Sequence, residues 1–422
     1  MKKHTSALPL AIVSVVLFLS TVASAQYTET TLYSFGGVTH DAINPSTALI
    51  RDAAGNLYGT TGGGGIGGGT VYELSPTTGG GWTETVIYDF GSTNGDALEP
   101  TGSLILDADG NLYGVTHSGG ASNKGAVYEL SPSGGGWTES VIYSFAGNPD
   151  VQNPSGSLTF DSAGNLYGTS QEGGGSTNSN CFDGCGTVFE LSPSSGGWTE
   201  KLIYAFSGGA DGIDPTGNLL IDADGKVYGT AAAGGTFAEN CNGGCGTVFR
   251  LTLASGTWRF ARLFNFQGTN GGSGPIGLAF DAAYNLYGPA TAGGTGCATS
   301  LGCGAIYKLT RQTSPGPWKE IVLHNFTQKY DGAVPAGVIL DPAGNIFGAA
   351  SVGGNGNIGT VWELSPTAHG PWKLTQLYSF GTGANGGNPD AGVIRDPCGN
   401  LYGTTRAYGQ FNHGTVFELS PP

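Results

Sequence analysis

The chain has 422 residues, with 16 lysines and arginines against 31 aspartates and glutamates, and a net charge of −15 at pH 7. An acidic chain repels the phosphate backbone, so the composition argues against a nucleic-acid partner. Only 11% of the residues are charged and 78 are glycine, a content that would indicate disorder if it had no period.

The N-terminus predicts a secretory signal peptide over residues 1–25. Lys2 and Lys3 precede an apolar run from Leu8 to Leu19, and a small-residue cleavage signature ends at Ala25. The run is short for a membrane span, so an N-terminal membrane helix is the less favoured alternative, and no later run is long enough to span. We expect cleavage after Ala25 and a soluble, secreted or periplasmic mature protein without a membrane span.

An eight-residue motif then recurs seven times, which makes the repeat the main feature of the chain. The successive spacings are 55, 54, 61, 59, 60 and 55 residues. The copies begin at Asp52, Asp107, Asp161, Asp222, Asp281, Asp341 and Asp396.

The copy "DADGNLYG" resembles part of a calcium loop, but the repeat favours a turn. Its second carboxylate, Asp109, recurs only as Asp224, and the glycine is at position four, whereas a calcium loop needs it at position six. Asp107 has a counterpart in every copy, as expected of an acceptor for turn amides. We expect a hairpin turn with Gly110 and Asn111 in left-handed conformations.

Each repeat contains four short runs that are typical of antiparallel strands. In the second repeat they are Gly102–Asp107, Asn111–Thr116, Gly125–Ser131 and Trp137–Phe145. β-Branched and aromatic residues fill these runs, and Gly, Pro, Asn and Ser bound them. Seven such units predict an all-β fold: a seven-bladed β-propeller with four antiparallel strands per blade, forming one domain over residues 26–422.

The two ends of the mature chain predict how the ring closes. "YTETTLYSF", from Tyr27, matches a fourth strand, whereas the chain stops after the third strand of its last repeat. Pairing the N-terminal strand with the last blade would remove two open sheet edges. A tryptophan opens the fourth strand of most repeats, which favours a structural belt over sugar stacking.

The motifs D-x-x-G-N-L-Y-G-T-T, G-T-V-Y/F-E-L-S-P and W-T-E-x-x-I-Y-x-F together resemble the Gloeo-Verruco (GloVer) tandem-repeat family of exported bacterial proteins. The resemblance covers the whole mature chain, and a more distant one links it to NHL-type propeller repeats. It implies a propeller fold and export, and it implies no particular enzymatic activity.

Three repeats carry cysteine pairs between their second and third strands: Cys181 with Cys185, Cys241 with Cys245, and Cys297 with Cys303. In an exported protein, these pairs predict three local disulfides that close long loops. Zinc is the alternative, but no histidine accompanies the pairs. Cys398 has no apparent partner and is expected to be a free thiol.

Propeller ligands usually lie at the mouth of the central channel. We expect a rim built from the loops that lead into each first strand and the loops that join the second strand to the third. Most of the former carry an aspartate four residues before a proline, with Asn385 and Gly271 as exceptions. If these side chains face the channel, they form an acidic ring for a cation or sugar hydroxyls; alternatively, each caps its own turn. The aspartates are Asp41, Asp96, Asp150, Asp211 and Asp331.

Residues found in single repeats are better candidates for a site. The last repeat offers Arg406, Tyr408 and Phe411, an aromatic and guanidinium patch suited to a sugar or a peptide. His40, His117 and His413 lie in repeats that a closed ring makes neighbours, so they could cluster around a metal or supply a general base. His324 replaces a strand tyrosine and is expected to pack.

Two functions therefore remain open. The first is an exported binding or interaction module with a glycan or a surface protein at the channel rim. The second is a propeller enzyme, a metal-dependent lyase or hydrolase that uses the histidines. We expect a monomer and no cofactor, although the residues do not exclude a divalent metal at the rim.

Overall fold

The structure is a computed structural model that describes residues 26–93, 95–235, 241, 243–268, 270–297, 302–312, 316–368 and 370–422. The predicted signal peptide, residues 1–25, lies outside these ranges. Within them there are strands and turns and no helix, and consequently no helix long and apolar enough to cross a membrane.

The strands fall into seven antiparallel sheets, numbered here as blades 1 to 7. The N-terminal strand is β1 (Thr28–Ser34). Blade 1 contains β2 (Ala42–Pro45), β3 (Ile50–Arg51), β4 (Leu57–Gly64), β5 (Thr70–Pro76) and β6 (Trp82–Asp89). Blade 2 contains β7 (Ala97–Leu106), β8 (Leu112–Gly119), β9 (Ala126–Ser133) and β10 (Gly136–Ser144). Blade 3 contains β11 (Val151–Pro154), β12 (Thr159–Phe160), β13 (Leu166–Gly173), β14 (Thr187–Ser194) and β15 (Gly197–Ala205).

Blade 4 contains β16 (Ile213–Ile221), β17 (Val227–Ala233), β18 (Thr247–Ala254) and β19 (Thr257–Asn265). Blade 5 contains β20 (Ser273–Pro275), β21 (Ala279–Phe280), β22 (Leu286–Ala292), β23 (Ala305–Arg311) and β24 (Trp318–Asn325). Blade 6 contains β25 (Ala333–Leu340), β26 (Ile346–Val352), β27 (Thr360–Ser365) and β28 (Lys373–Ser379). Blade 7 contains β29 (Ile394–Arg395), β30 (Leu401–Thr405) and β31 (Thr415–Ser420).

The N-terminal strand closes the ring as predicted. β1 pairs antiparallel with β31, from Thr28 opposite Ser420 to Ser34 opposite Thr415, and so supplies the fourth strand of blade 7. Blade 7 then contacts blade 1, because the Thr404 hydroxyl donates to the Thr47 carbonyl at 3.1 Å. The prediction of a seven-bladed β-propeller is confirmed.

The first of the four strands of each blade is the inner one, and in blades 1, 3 and 5 it is divided into two short strands that pair with the same neighbour. These inner strands crowd together around the centre. A Cβ added at Gly156 would lie 2.3 Å from the Gly217 carbonyl oxygen of the next blade, and one at Gly102 would lie 2.7 Å from the Gly156 carbonyl oxygen. Only glycine allows backbones to approach this closely. The central glycines therefore set how tightly the blades can converge.

Apolar side chains fill the space between neighbouring blades in seven separate clusters. Between blades 7 and 1, Phe35 and Tyr402 pack with Leu57 and Tyr72, and all four are at most 5% exposed. Trp137 of blade 2 meets Tyr58 of blade 1 edge to face at 6.1 Å, and three further pairs repeat this contact. These contacts support the interpretation of the tryptophans as a packing belt.

The recurring Asp motif forms the hairpin turn between the first and second strands. Asp107 accepts hydrogen bonds from the Asn111 backbone N–H and side-chain amide, both at 2.8 Å, and from the Tyr113 hydroxyl at 3.1 Å. Partial burial acts to raise the pKa of Asp107, but these bonds outweigh it and hold the pKa below its usual range. Gly110 is left-handed with φ 88°, as predicted. The prediction for Asn111 is wrong: its φ is not positive, because its side chain binds Asp107 across the turn.

All three cysteine pairs are disulfide-bonded, which confirms the prediction over the zinc alternative. Cys398 is exposed and is the one cysteine without a disulfide partner. Disulfides persist in oxidising compartments, so the three bonds indicate an exported protein.

Candidate functional site at the rim of the propeller

The face that carries the candidate site is built from two sets of loops. The interblade loops join the outer strand of one blade to the inner strand of the next, and the 2–3 loops join the second and third strands. Backbone hydrogen bonds fasten the two sets together: Gly65 N–H to the Asp41 carbonyl at 3.1 Å, and Gly120 N–H to the Asp96 carbonyl at 2.9 Å. The two sets therefore form one continuous surface, called the rim face here.

The five predicted aspartates lie in the interblade loops, and their carboxylates bind their own turns. Asp41 accepts from the backbone N–H groups of Gly36 and Gly37 at 2.7 and 2.8 Å and from the Tyr33 hydroxyl at 3.2 Å. Tyr33 is on the outer strand of blade 7, so the carboxylate points between blades toward the outer edge. This geometry matches the turn-capping alternative.

The other four aspartates follow the same pattern. Asp96 binds Tyr88 and Gly91, Asp150 binds Ala146, Asp211 binds Tyr204 and Ser207, and Asp331 binds His324 and Thr327. His324 also packs edge to face on Phe326, as expected of its strand position. Asp41, Asp96 and Asp331 are at most 9% exposed, whereas Asp150 and Asp211 are partly exposed. A role of these aspartates in ligand binding stays a prediction.

In blades 1 to 3, a glutamate of the outer strand lies close to the aspartate of the interblade loop that leads into the same blade. Burial, and then the Asp41 carboxylate, raise the pKa of Glu84 to about 7. Burial with Asp96 does the same to the pKa of Glu139. Burial with Asp150 does the same to the pKa of Glu200. In each glutamate one carboxyl oxygen is buried without a hydrogen-bond partner among the described residues. Blades 1, 2 and 3 thus each contain a pair of carboxyl groups that disfavours double ionisation.

The mouth of the channel is formed by a residue that the sequence reasoning did not single out: the residue immediately before the proline of each inner strand. Asn44 has φ 56° and its backbone N–H donates to the His413 carbonyl at 2.8 Å. The corresponding residues of the other blades are also left-handed and reach the preceding blade in the same way; they are Glu99, Asn153, Asp214, Gly274, Val334 and Asn388.

Polar pairs stand at this mouth in three of the blades. In blade 2, Glu99 lies 3.7 Å from the Nδ1 atom of His117. In blade 3, the Asn153 amide donates to Glu172 at 2.8 Å. In blade 7, the Arg406 Nε atom lies 2.7 Å from Asp390, and the arginine side chain is 56% exposed. Arg406 is therefore ion-paired with Asp390 while more than half of its side chain stays exposed.

The three predicted histidines occupy different positions within their blades. His40 is exposed in an interblade loop, His117 is beside Glu99, and the ring of His413 lies against the backbone of Gly36. Among the residues that the structure describes, no group of three or more His, Cys, Asp or Glu side chains could hold a metal ion. The structure does not bring the three imidazoles together as a metal site.

The predicted patch on the last repeat puts an exposed aromatic and an exposed guanidinium on the same 2–3 loop. Phe411 is 41% exposed, and its ring lies against Gly37 of the neighbouring interblade loop. Val38, the next residue of that loop, is 65% exposed. Tyr408 is half-buried in the apolar cluster between blades 6 and 7, and its φ of 61° turns the 2–3 loop. Tyr408 therefore supports the loop that presents Phe411.

A groove of about 470 Å³ on the same face contains one of the predicted aspartates. It lies between blades 3 and 4, where Phe260 stands at the position that a glutamate holds in blades 1 to 3. Phe260 stacks on Tyr204 at 4.6 Å, and Asp211 and Arg262 line the groove beside them. Asp211 is thus a predicted aspartate that borders an open depression.

Seven four-stranded blades, closed by an N-terminal strand and bearing loops on a rim face, define a seven-bladed β-propeller with a candidate binding face. Within this class, the chain belongs to the Gloeobacter/Verrucomicrobia repeat family, whose model matches residues 16–182 and 235–422. The predicted resemblance is confirmed. No curated protein matches the chain.

Several solved structures align with the chain at low sequence identity, and the first two below share its fold. The extracellular domain assigned to a one-component system of B. thetaiotaomicron aligns at 11% identity with a TM-score of 0.57, over 94% of this chain and 42% of that one. A fungal alcohol oxidase of the AA5 family in complex with copper aligns at 14% and 0.51, over 94% and 76%. A gluconolactonase from Xanthomonas campestris aligns at 15% and 0.44, over 84% and 93%. The chain thus spans about two fifths of the first of these.

Proposed function

We propose that the protein is an exported binding module that holds a glycan on its rim face, where blade 7 meets blade 1. The observation that carries the proposal is the exposed pair of Phe411 and Arg406 on one 2–3 loop. An aromatic ring and a guanidinium are the groups that most often dominate a binding surface. Export is inferred from the three disulfides and from the predicted signal peptide, which we expect to be cleaved after Ala25.

The surroundings of this pair support binding at low conformational cost. The Phe411 ring rests on Gly37, and the Gly414 carbonyl accepts a hydrogen bond from the Phe35 backbone N–H at 3.1 Å. The loop is thus fastened to the strand that closes the ring. Side chains held in place before binding lose less entropy when a ligand arrives. Elsewhere on the rim face, the groove at Asp211 between blades 3 and 4 offers the same chemistry, stacked aromatic rings with a guanidinium and a carboxylate.

The test is a glycan array followed by calorimetry with the best glycan. Phe411→Ala and Arg406→Gln should each weaken binding at least about tenfold, because each removes a central contact. Phe182→Ala is the matched control, since Phe182 is 98% exposed in the 2–3 loop of blade 3. Unchanged affinity in both rim variants would place the glycan elsewhere. A protein captured through Phe411, with no glycan bound, would make the partner a protein surface.

A second candidate, an enzyme, has one observation in its favour. His117 lies 3.7 Å from Glu99 at the channel mouth, and both side chains are substantially exposed. A carboxylate beside an imidazole can orient it as a general base for a hydrolase or lyase. Turnover on a panel of lactones and esters that His117→Gln abolishes and His40→Gln preserves would favour this function over simple binding.

A further inference from the structure

The face opposite the rim carries a second cleft that the proposed rim site does not use. Its volume is about 350 Å³, and it lies between the turns of blades 4 and 5 that join the first and second strands. Its lining includes Lys226, Arg250, Tyr284, Arg311 and Trp318, together with the two carboxylates that pair with Lys226. We infer that this cleft binds an acidic saccharide through a uronate carboxylate.

The repeat shows that the cleft departs from the pattern of the other blades. Arg250 and Lys308 stand where the other five blades have glutamate, and Arg311 stands where most of them have proline. Lys226 replaces the turn asparagine of the other six blades. Four cations therefore replace neutral or acidic residues within two neighbouring blades of a chain whose net charge is −15. The concentration of positive charge is local to this cleft.

Two of the cations form ion pairs inside the fold, whereas Arg250 contacts the Tyr228 hydroxyl and Arg311 is exposed. Lys226 forms ion pairs with Asp222, at 3.6 Å, and with Asp224. Lys308 lies 3.5 Å from the Asp281 carboxylate. Within the described part of the chain, neither Arg250 nor Arg311 has a carboxylate within 4 Å, and the Arg250 Nε atom is buried without a hydrogen-bond partner. A planar guanidinium binds a carboxylate with two parallel hydrogen bonds.

Tyr284 gives the cleft an aromatic face at a cost to the backbone. It replaces the turn glycine of the other six blades, and its φ is 59°, a region where side chains other than those of glycine, asparagine and aspartate are uncommon. Its ring is 49% exposed and contacts Phe280 edge to face at 5.4 Å. Strained backbone of this kind is found most often at functional positions.

The combination selects the class of ligand. Guanidinium groups alone would bind phosphate or any carboxylate. The exposed Tyr284 ring adds a flat apolar surface that can cover the face of a sugar ring, as in pockets where aromatic walls surround a few polar groups. Trp318 belongs to the packing belt, and its half-buried side chain forms part of the wall of the cleft. A pyranose that bears a carboxylate satisfies both sets of groups at once.

The experiment is calorimetric titration of the full-length mature chain with trigalacturonate, with maltotriose and inorganic phosphate as comparisons. We expect binding of trigalacturonate that weakens with added salt, and no comparable binding of the other two probes. Arg250→Gln and Arg311→Gln should each lower the affinity about tenfold or more. Arg259→Gln is the matched control, because it removes one exposed positive charge from the outer strand of blade 4.

Tyr284→Gly separates a binding role from a structural one. It restores the glycine of the other blades, so the melting temperature should stay the same or rise while the affinity for trigalacturonate falls. The assignment would be overturned if the wild-type chain did not bind trigalacturonate or bound phosphate equally well. It would also be overturned if Arg250→Gln and Arg311→Gln lost no more affinity than Arg259→Gln does. Phe411→Ala should leave this binding unchanged, so failure at the cleft and failure at the rim are distinguishable.

Discussion

Replacing the half-buried glutamates of blades 1, 2 and 3 by glutamine should stabilise the protein at high pH and not at low pH. Burial first, and then the neighbouring aspartate, raise the pKa of Glu84, Glu139 and Glu200 from 4.5 to about 7. The folded state therefore prefers the protonated carboxyl group, whereas the unfolded chain ionises at its ordinary value.

The sign of the pH dependence follows from this difference. Below pH 4.5 each glutamate is protonated in both states, so the stability from the protonated group is fully present. As the pH rises through about 7, the folded state must ionise a group that burial and the aspartate disfavour, and that stability is lost. Glutamine keeps the shape and never ionises, so it avoids the loss.

The size of the effect can be worked out per residue. A pKa raised from 4.5 to about 7 corresponds to about 3.4 kcal/mol of unfavourable ionisation. The three side chains are only half-buried, so solvent screening reduces this to about 1 kcal/mol each. Contributions from separate blades should add, so the triple glutamine variant should gain about 3 kcal/mol between pH 4.5 and pH 8.

The assay is urea denaturation of the wild type and the triple variant at both pH values. Glu129→Gln controls for the change in net charge, because its carboxylate accepts hydrogen bonds from Tyr113 at 3.0 Å and Ser131 at 3.2 Å and should lose stability on neutralisation. A triple variant that gains equally at both pH values, or no more than Glu129→Gln does, would refute the reasoning.

Three further predictions concern the fold. Asp107→Ala should lower the free energy of unfolding by about 2 kcal/mol, because it leaves the donors of the turn without an acceptor. Asp109→Ala, on the exposed side of the same turn, should change the free energy of unfolding by less than about 0.5 kcal/mol. Urea denaturation checks both values. Deleting residues 26–34 should open the β31 edge and cause association that size-exclusion chromatography detects as a function of concentration; a deletion variant that stays monomeric would contradict the closure argument. Reduction of the three disulfides should add about 6 Da and lower the melting temperature, with each short loop contributing about 2 kcal/mol, and an unchanged mass would exclude the bonds.

The architecture could be predicted from the sequence because the repeat exposes it. The turn at Asp107 recurs in every blade, and the unmatched strand at Thr28–Ser34 identifies how the ring closes. The first feature is local, because it depends on hydrogen bonds between residues at most six positions apart. The second joins the two ends of the chain, but it follows from the need to pair an open edge. The disulfides could also be predicted, because the two cysteines of each pair are four or six positions apart in the sequence.

The direction of the interblade side chains could not be read in the same way. Asp41 is four residues before Pro45, which places it near the rim but does not show which way it points. The direction is set by Tyr33, on the strand that closes the preceding blade. The left-handed conformation of Asn44 could not be predicted, because a residue before proline normally takes an extended conformation. A polar residue before the proline in several repeats, including Asp214, was the available signal.

The three histidines show that a position in neighbouring blades does not by itself bring side chains together. His117 ends a second strand, His413 precedes a third strand, and His40 lies in an interblade loop. Side chains converge across blades when they share a repeat position, because the blades are related by rotation about the channel. Arg406 and His117 do share one, the end of the second strand, and both stand at the mouth.

The interblade carboxyl pairs show how the repeat limits its own electrostatic cost. Blades 1 to 3 keep both acids, but each of the other four has lost one of them. In blade 5 the aspartate is replaced by Gly271, and an added Cβ there would lie 2.2 Å from the Glu320 carboxyl oxygen, so Glu320 fills the vacated space. In blade 7 Asn385 donates its amide to Glu29 and removes the like-charge repulsion. In blade 4 the glutamate is the acid that is lost, and Phe260 in its place borders the groove beside Asp211. These three blades thus accommodate the loss of one acid in three ways: the remaining carboxyl group fills the space, an amide donates to it, or an aromatic ring borders an open groove.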